Sequence, residues 1–242
     1  MVCKSSPRPI SNFMTYPITI VDNFFEDPDG IVKLAESMKY YTPNTGNWPG
    51  TRTKNLHVED PRFFNYFGQK LHLLFYESVP EYWNLQCHFQ LIHPFCEDKY
   101  SKKNRGWVHK DIDTWFGGIV YLSRDPEPDT GTSAYKVKQG FSHQLSDEID
   151  KKEALYRSEE VSDSDYDKAY DSMRNQFEET VSVANVYNRF VLFSNTTHHG
   201  VQTFGSKPRL TLNFFGMGQT GKLPPLLRYC LLYTSPSPRD RG

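Results

Sequence analysis

In the segment Trp107–Trp115, WVHKDIDTW, His109 and Asp111 are two residues apart. On an extended chain the side chains at i and i+2 leave the same face, so this imidazole and this carboxylate can share one metal ion while Lys110 points away. Together they suit iron(II), and one more imidazole completes a facial triad of two histidines and one carboxylate that leaves coordination positions open. That third ligand must come from a distant part of the chain. In VLFSNTTHHGVQTF, residues 191–204, a strand pattern ends and two histidines, His198 and His199, precede Gly200, a residue that permits close backbone approach. Either histidine can close the triad. Arg209 follows at the head of the strand-like run RLTLNFF, where a guanidinium can grip a carboxylate through two parallel hydrogen bonds, a geometry lysine lacks.

The elements that position these residues fall into two halves. Residues 1–12 are polar and proline-containing and read as a flexible tail, with the folded domain beginning near Phe13. TYPITIVDNFF reads as a short strand entering a turn at Asp22 and Asn23. After Asp27-Pro28-Asp29-Gly30, the spacing of Ile31, Leu34, Ala35 and Met38 predicts an amphipathic helix. A second helix, over RFFNYFGQKLHLLFYESV (62–79), places Phe63, Phe67, Leu71, Leu74 and Phe75 on one face. Between them NTGNWPGTRTKNL, residues 44–56, reads as a long loop carrying Arg52 and Lys54 beside the site.

The period then changes. NLQCHFQLIHPF, GGIVYLS, RFVLFSN and RLTLNFFG are short aromatic and β-branched runs bounded by turn residues, the pattern of a β sandwich or barrel. Residues 143–180 interrupt them with dense charge and with Tyr166, Ala169, Tyr170, Met173 and Phe177 at rough helical spacing, a surface insertion with a helix. The expectation is a single domain over 13–222, mainly β with flanking helices. Residues 223–242 read as a C-terminal tail. Its end, CLLYTSPSPRD, matches one reading frame of a common sequencing-library adapter, so 230–242 is expected to be an artefact.

Composition excludes more than it assigns. A formal net charge of -1 offers no chain-wide basic field for nucleic acid, and no stretch approaches the length of a membrane span. The start lacks an apolar leader core, and Cys3, Cys87, Cys96 and Cys230 have neither zinc nor disulfide spacing, so a cytoplasmic protein of a bacterium or phage-infected host is expected. His57, His72, His88, His93 and His143 lack partners at metal spacing and are read as structural or exposed.

The order of these features resembles the iron(II)- and 2-oxoglutarate-dependent oxygenases, in their prolyl-4-hydroxylase-like branch and its phage and marine bacterial members. The stretches that carry the resemblance are IVDNFFEDPDGIVKLA, WPGTRT, HKDIDTWFGGIVYLS, PDTGTSAY and NRFVLFSNTTHHGVQTFG followed by RLTLNFF. It implies a double-stranded β-helix, or jelly roll, with iron at its open mouth. It implies His109, Asp111 and His199 as ligands, with His198 as the alternative, because family members place the distal histidine six residues after a strand aromatic, here Phe193, and one residue before the residue preceding a valine, here Val201. It implies Arg209 as partner of the distal carboxylate of 2-oxoglutarate. Tyr121 is similar to a position lining the cosubstrate pocket, though a half-buried strand tyrosine without a role reads equally well. Gln90, Thr211 and Asn213 are further candidates if they face inward.

The implied activity is hydroxylation of an unidentified substrate, a peptide prolyl residue or a small molecule, with dioxygen consumed, succinate and CO2 released, and ascorbate as an accessory reductant. The alternative is a non-catalytic cupin-type metal or ligand-binding module on the same fold.

Overall fold

The computed structural model describes residues 18–74, 84–141 and 149–217. Expectations for residues 1–17, Phe75, His143, Cys3, Cys230 and the C-terminal tail lie outside these residues. In chain order the elements are β1 (Ile18–Val21), α1 (Pro28–Glu36), β2 (Thr51–Arg52), α2 (Leu56–Glu59), α3 (Pro61–His72), β3 (Asn84–Ile92), β4 (Thr114–Tyr121), β5 (Thr132–Val137), α4 (Ile149–Tyr156), α5 (Asp163–Arg174), β6 (Phe177–Val183), β7 (Phe190–Ser194), β8 (His198–Val201) and β9 (Arg209–Met217).

Two antiparallel sheets form the core, a larger one in the order β1-β7-β4-β9-β3-β2 and a smaller one in the order β6-β5-β8. The extended stretch Gly106–His109 prolongs the smaller sheet along β8, through bonds from Gly106 N to Val201 O (3.0 Å) and between the backbones of His109 and His199 (2.9 and 2.8 Å). From β3 onward the chain therefore passes between the sheets: large, small, large at β4, small at β5 and β6, large at β7, small at β8, large at β9. That alternation is a double-stranded β-helix.

Strand parity decides what each face does. On β9, Leu212 and Phe214 turn outward to join Phe24, Phe25, Phe63, Phe67, Leu71, Cys87 and Phe89 in the main core, under α1 and α3. Arg209, Thr211, Asn213 and Phe215 alternate with them and turn to the other face. The helices start where acidic caps stop the chain: Asp27 Oδ1 accepts from Gly30 N at 2.9 Å, and Asp60 Oδ1 accepts from Arg62 N and Phe63 N at 3.1 and 3.0 Å. Asn188, at φ 62°, ties the first turn down through bonds of 2.8 Å to both Phe25 N and Phe25 O.

Four details differ from the sequence-based expectations. The second helix stops at His72, with Leu73 as its cap, short of the expected span. The glycine- and proline-rich loop contains β2, whose pairing of Thr51 with Leu91 and Arg52 with Gln90 supplies a strand that composition disfavours. His109 and Asp111 precede β4 rather than lying in a regular strand; the chain turns at Asp113 (φ 58°) before β4 begins. The two histidines after β7 themselves form β8.

The charged insertion differs most. Its helices α4 and α5 bury Leu155, Tyr156, Tyr166, Ala169, Tyr170 and Met173 against Trp107, Val108 and Phe177, a second core directly beneath the His109 segment. The charged residues cover the outside of it. Cys87 and Cys96 are free thiols, and among the described residues no helix is long and apolar enough to cross a membrane.

Candidate metal and cosubstrate site

The backbone bridge sets His109 and His199 opposite each other although ninety positions separate them in the sequence numbering, and their rings lie 4.6 Å apart. Asp111 reaches between them. Its Oδ1 is 3.8 Å from His109 Nε2 and its Oδ2 is 3.7 Å from His199 Nε2. These side chains form a group with ligand atoms within 4.8 Å of one another, a cluster able to hold a metal ion. Donors about 2.1 Å from one ion at right angles stand about 3.0 Å apart, so the two carboxylate–imidazole distances of 3.8 and 3.7 Å would each close by about 0.8 Å around it.

Both imidazoles are prepared as ligands. His109 Nδ1 lies 2.9 Å from Trp107 O and His199 Nδ1 lies 3.1 Å from Thr197 O. A carbonyl only accepts, so each Nδ1 carries a proton, and each Nε2 is the nitrogen turned toward Asp111. Nearby protein atoms, and then the neighbouring His199, push the pKa of His109 down, although its side chain is still 55% exposed to solvent, which tempers the shift. Phe193 stacks on His199 at 4.5 Å and 5° and fixes the plane of that ring.

His198, one residue earlier on β8, faces the other way and packs against Phe177 at 5.1 Å. It stands apart from the cluster. Strand parity thus separates the two adjacent histidines.

Gly117 was not singled out by its sequence. It pairs with Phe215 and Phe193 in the larger sheet, and the position a Cβ would take there is filled by Asp111 Oδ2. The carboxylate can approach only because residue 117 has no side chain.

A row of polar side chains runs across the inner face from this cluster's flank. Arg52, Gln90, Thr211 and Tyr121 are paired in register across β2, β3, β9 and β4. Gln90 Oε1 accepts from Asn213 Nδ2 (2.5 Å) and Arg52 Nη2 (3.3 Å), Gln90 Nε2 donates to Pro49 O (2.5 Å), and Thr211 Oγ1 donates to Asn213 Oδ1 (2.6 Å). The inward facing of Gln90, Thr211 and Asn213 is therefore real, and all are buried.

At the Tyr121 end lies Arg209, buried, with Nε donating to Thr130 O at 2.9 Å and its guanidinium carbon 5.3 Å from the Tyr121 ring centre. Its Nη2 is buried without an acceptor. Burial lowers its pKa, yet a guanidinium keeps its charge at neutral pH. Tyr121 is fully buried and donates to Thr132 Oγ1 at 3.0 Å, and burial pushes its pKa up, so it stays a neutral hydrogen-bonding phenol. A buried cation with an idle donor is a socket for an anion.

Of the remaining histidines, His88 holds Nδ1 3.0 Å from Thr53 O, and His57 packs edge-on to Phe64 at 5.9 Å. His72 and His93 lie on α3 and just past β3, away from the cluster.

Fold and site together define a double-stranded β-helix protein with a His-x-Asp and distal-His cluster between its two sheets and a buried arginine on the inner face. Residues 12–215 match the model described as "Family of unknown function (DUF6445)", and the chain belongs to that family. No curated protein matches it.

Among solved structures it is similar to HygX from Streptomyces hygroscopicus with nickel and 2-oxoglutarate bound, at 15% identity over 83% of this chain and 82% of that one, TM-score 0.48. It is also similar to a Trichoplax adhaerens prolyl hydroxylase in complex with a hypoxia inducible factor peptide, at 10% identity over 84% of each chain, TM-score 0.48. A Pseudomonas putida prolyl-4-hydroxylase shares 12% identity over 85% of this chain and 94% of that one, TM-score 0.42.

Proposed function

We propose that this protein is an iron(II)- and 2-oxoglutarate-dependent oxygenase that hydroxylates a C–H bond of its substrate. The observation that carries this reading is the coincidence of two incomplete sites on one inner face: a cluster of two imidazoles and a carboxylate, and a buried Arg209 whose Nη2 has no acceptor. A metal alone would leave the arginine unexplained, and an anion alone would leave the cluster unexplained. A dicarboxylate that chelates the metal at one end and meets a guanidinium at the other satisfies both.

His109 and His199 are the proposed nitrogen ligands and Asp111 the oxygen ligand, with His198 left outside. Arg209 would grip the distal carboxylate, and Tyr121 and Thr132 would wall that end of the pocket and keep water from it. Bound there, iron(II) with 2-oxoglutarate and dioxygen supplies a two-electron oxidation in which R–H, O2 and 2-oxoglutarate give R–OH, succinate and CO2. A peptidyl proline and a small molecule are both candidates for R–H. The cupin-type alternative needs no guanidinium in the barrel, and Arg209 disfavours it.

The test is Arg209→Ala. The variant is expected to lose 2-oxoglutarate turnover and to weaken 2-oxoglutarate binding by at least about tenfold, the cost of a lost charged hydrogen-bond pair, while iron(II) affinity is kept. Unaltered 2-oxoglutarate affinity would remove the cosubstrate from that arginine.

A further inference from the structure

Arg52 is a second inner-face arginine that the proposed chemistry leaves unused. It belongs to the two-residue strand β2 and stands opposite Gln90, so it shares the face of Thr211 and Tyr121 but lies at the other end of their row. Three strand spacings, about 14 Å, separate those ends, which places Arg52 well apart from the Arg209–Tyr121 pair. Its guanidinium carbon sits 4.5 Å from the Trp48 ring and 5.7 Å from the Phe215 ring. Phe215 is paired with Gly117, the residue that Asp111 covers, so the guanidinium approaches the metal cluster from the β3 side.

Its hydrogen bonding is incomplete. One N–H reaches Gln90 Oε1 at a long 3.3 Å, and Nε is buried with no acceptor. Among the described residues no carboxylate stands within ion-pair distance of it, since Asp111 is engaged with the histidines. Burial pulls its pKa down to about 9 while the charge of Asp111 pushes it back, so Arg52 is still a cation at neutral pH. The nearest rings are flat and apolar, and the loop that carries Trp48 is held by α4: Arg157 Nη1 donates to Thr45 O at 3.3 Å, and Gly46 packs on the Glu153 carbonyl. On that helix Lys152 is near enough for its charge to reach His109. The mouth of the cluster is thus flanked by cations from two elements.

We infer that Arg52, framed by Trp48 and Phe215, is the recognition point for a carboxylate on the primary substrate. This rests on the oxygenase reading for the word substrate and on the geometry of Arg52 for the carboxylate. A planar fork with a free Nε edge matches a planar monoanion, and the two rings match an apolar body beside it. Bound there, the substrate would lie against the Asp111 side of the cluster with its charge away from Arg209.

Calorimetric titration of the full chain with benzoate and with benzamide, similar in shape and different in charge, tests the inference, first as purified and then with saturating manganese(II) and 2-oxoglutarate. Benzoate is expected to bind at least about tenfold more tightly than benzamide in both states, as a charged pair gains over a neutral one. In the protein loaded with manganese(II) and 2-oxoglutarate, where the cosubstrate occupies Arg209, Arg52→Ala should erase that preference and Arg52→Lys should keep part of it. Equal binding of the two probes by the wild-type chain overturns the inference without any variant, should Arg52→Ala fail to fold. Loss of the preference in Arg209→Ala instead of Arg52→Ala overturns it too, and tighter binding of phenyl phosphate than of benzoate overturns the choice of carboxylate. The first titration needs neither metal nor cosubstrate, so it stands or falls separately from the oxygenase reading.

Discussion

At the scale of single residues, the proposed chemistry depends on an absence as much as on its ligands. Asp111 occupies the space that any side chain at position 117 would take. Gly117→Ala should therefore push the carboxylate out of line and weaken iron(II) binding by about 10- to 100-fold, the usual range for disturbing the support of a metal ligand. Circular dichroism should report an intact fold, and metal titration an affinity loss; unchanged affinity would show that Asp111 has room to move. His-x-Asp spacing made the pairing of His109 with Asp111 legible in the sequence, and Arg209 stood out by its type and its distance from the histidines. Spacing by family resemblance favoured His199 with His198 as the alternative, and the face of β8 that each one takes sets His199 in the cluster. Gly117 gave no signal, and Arg52 was visible only as a charge on a loop beside the site, because their places come from cross-strand register with partners far away in the chain.

Among the elements, the insertion has a positioning task. Trp107 O accepts a hydrogen bond from His109 Nδ1, and the Trp107 indole N–H donates to Tyr166 Oη on α5 at 2.9 Å in a buried contact. The helix therefore holds the residue that orients the histidine. Tyr166→Phe keeps the packing and deletes the acceptor, and urea denaturation should show a loss of about 1 kcal/mol or somewhat more, since an indole N–H is left buried and unpaired. A variant as stable as the wild type would mean that Trp107 is held by packing alone. The helical spacing of Tyr166, Ala169, Tyr170 and Met173 was visible in the sequence, but the dense charge around it suggested a surface feature. What the charge concealed was a second apolar cluster that closes only when Trp107 and Val108 arrive from elsewhere. β2 was hidden for a different reason: two residues are too short to show alternation, and glycine, proline and asparagine surround them.

For the molecule as a whole, acid should weaken the fold in part through His88. Desolvation, the largest influence, lowers its pKa below the ordinary 6.5. The unfolded chain then binds the proton more readily than the folded one, so this contribution is present above pH 6.5 and declines as pH falls toward the folded pKa. His88→Gln, which cannot titrate, should flatten the fall in urea midpoint below pH 6.5; parallel curves would locate the acid sensitivity elsewhere. The alternation of strands between two sheets was legible as a β core because the aromatic and β-branched runs are short and bounded by turns. Their pairing order was not, since it is fixed by contacts such as β3 with β9 that sequence spacing does not encode.

The central claim, that the histidine–aspartate cluster and Arg209 serve one metal-chelated dicarboxylate, is tested most directly by titrating 2-oxoglutarate into the anaerobic iron(II)-loaded protein and then admitting air. A weak visible charge-transfer band that saturates with 2-oxoglutarate is expected, followed by succinate on exposure to oxygen. No band and no succinate would contradict it.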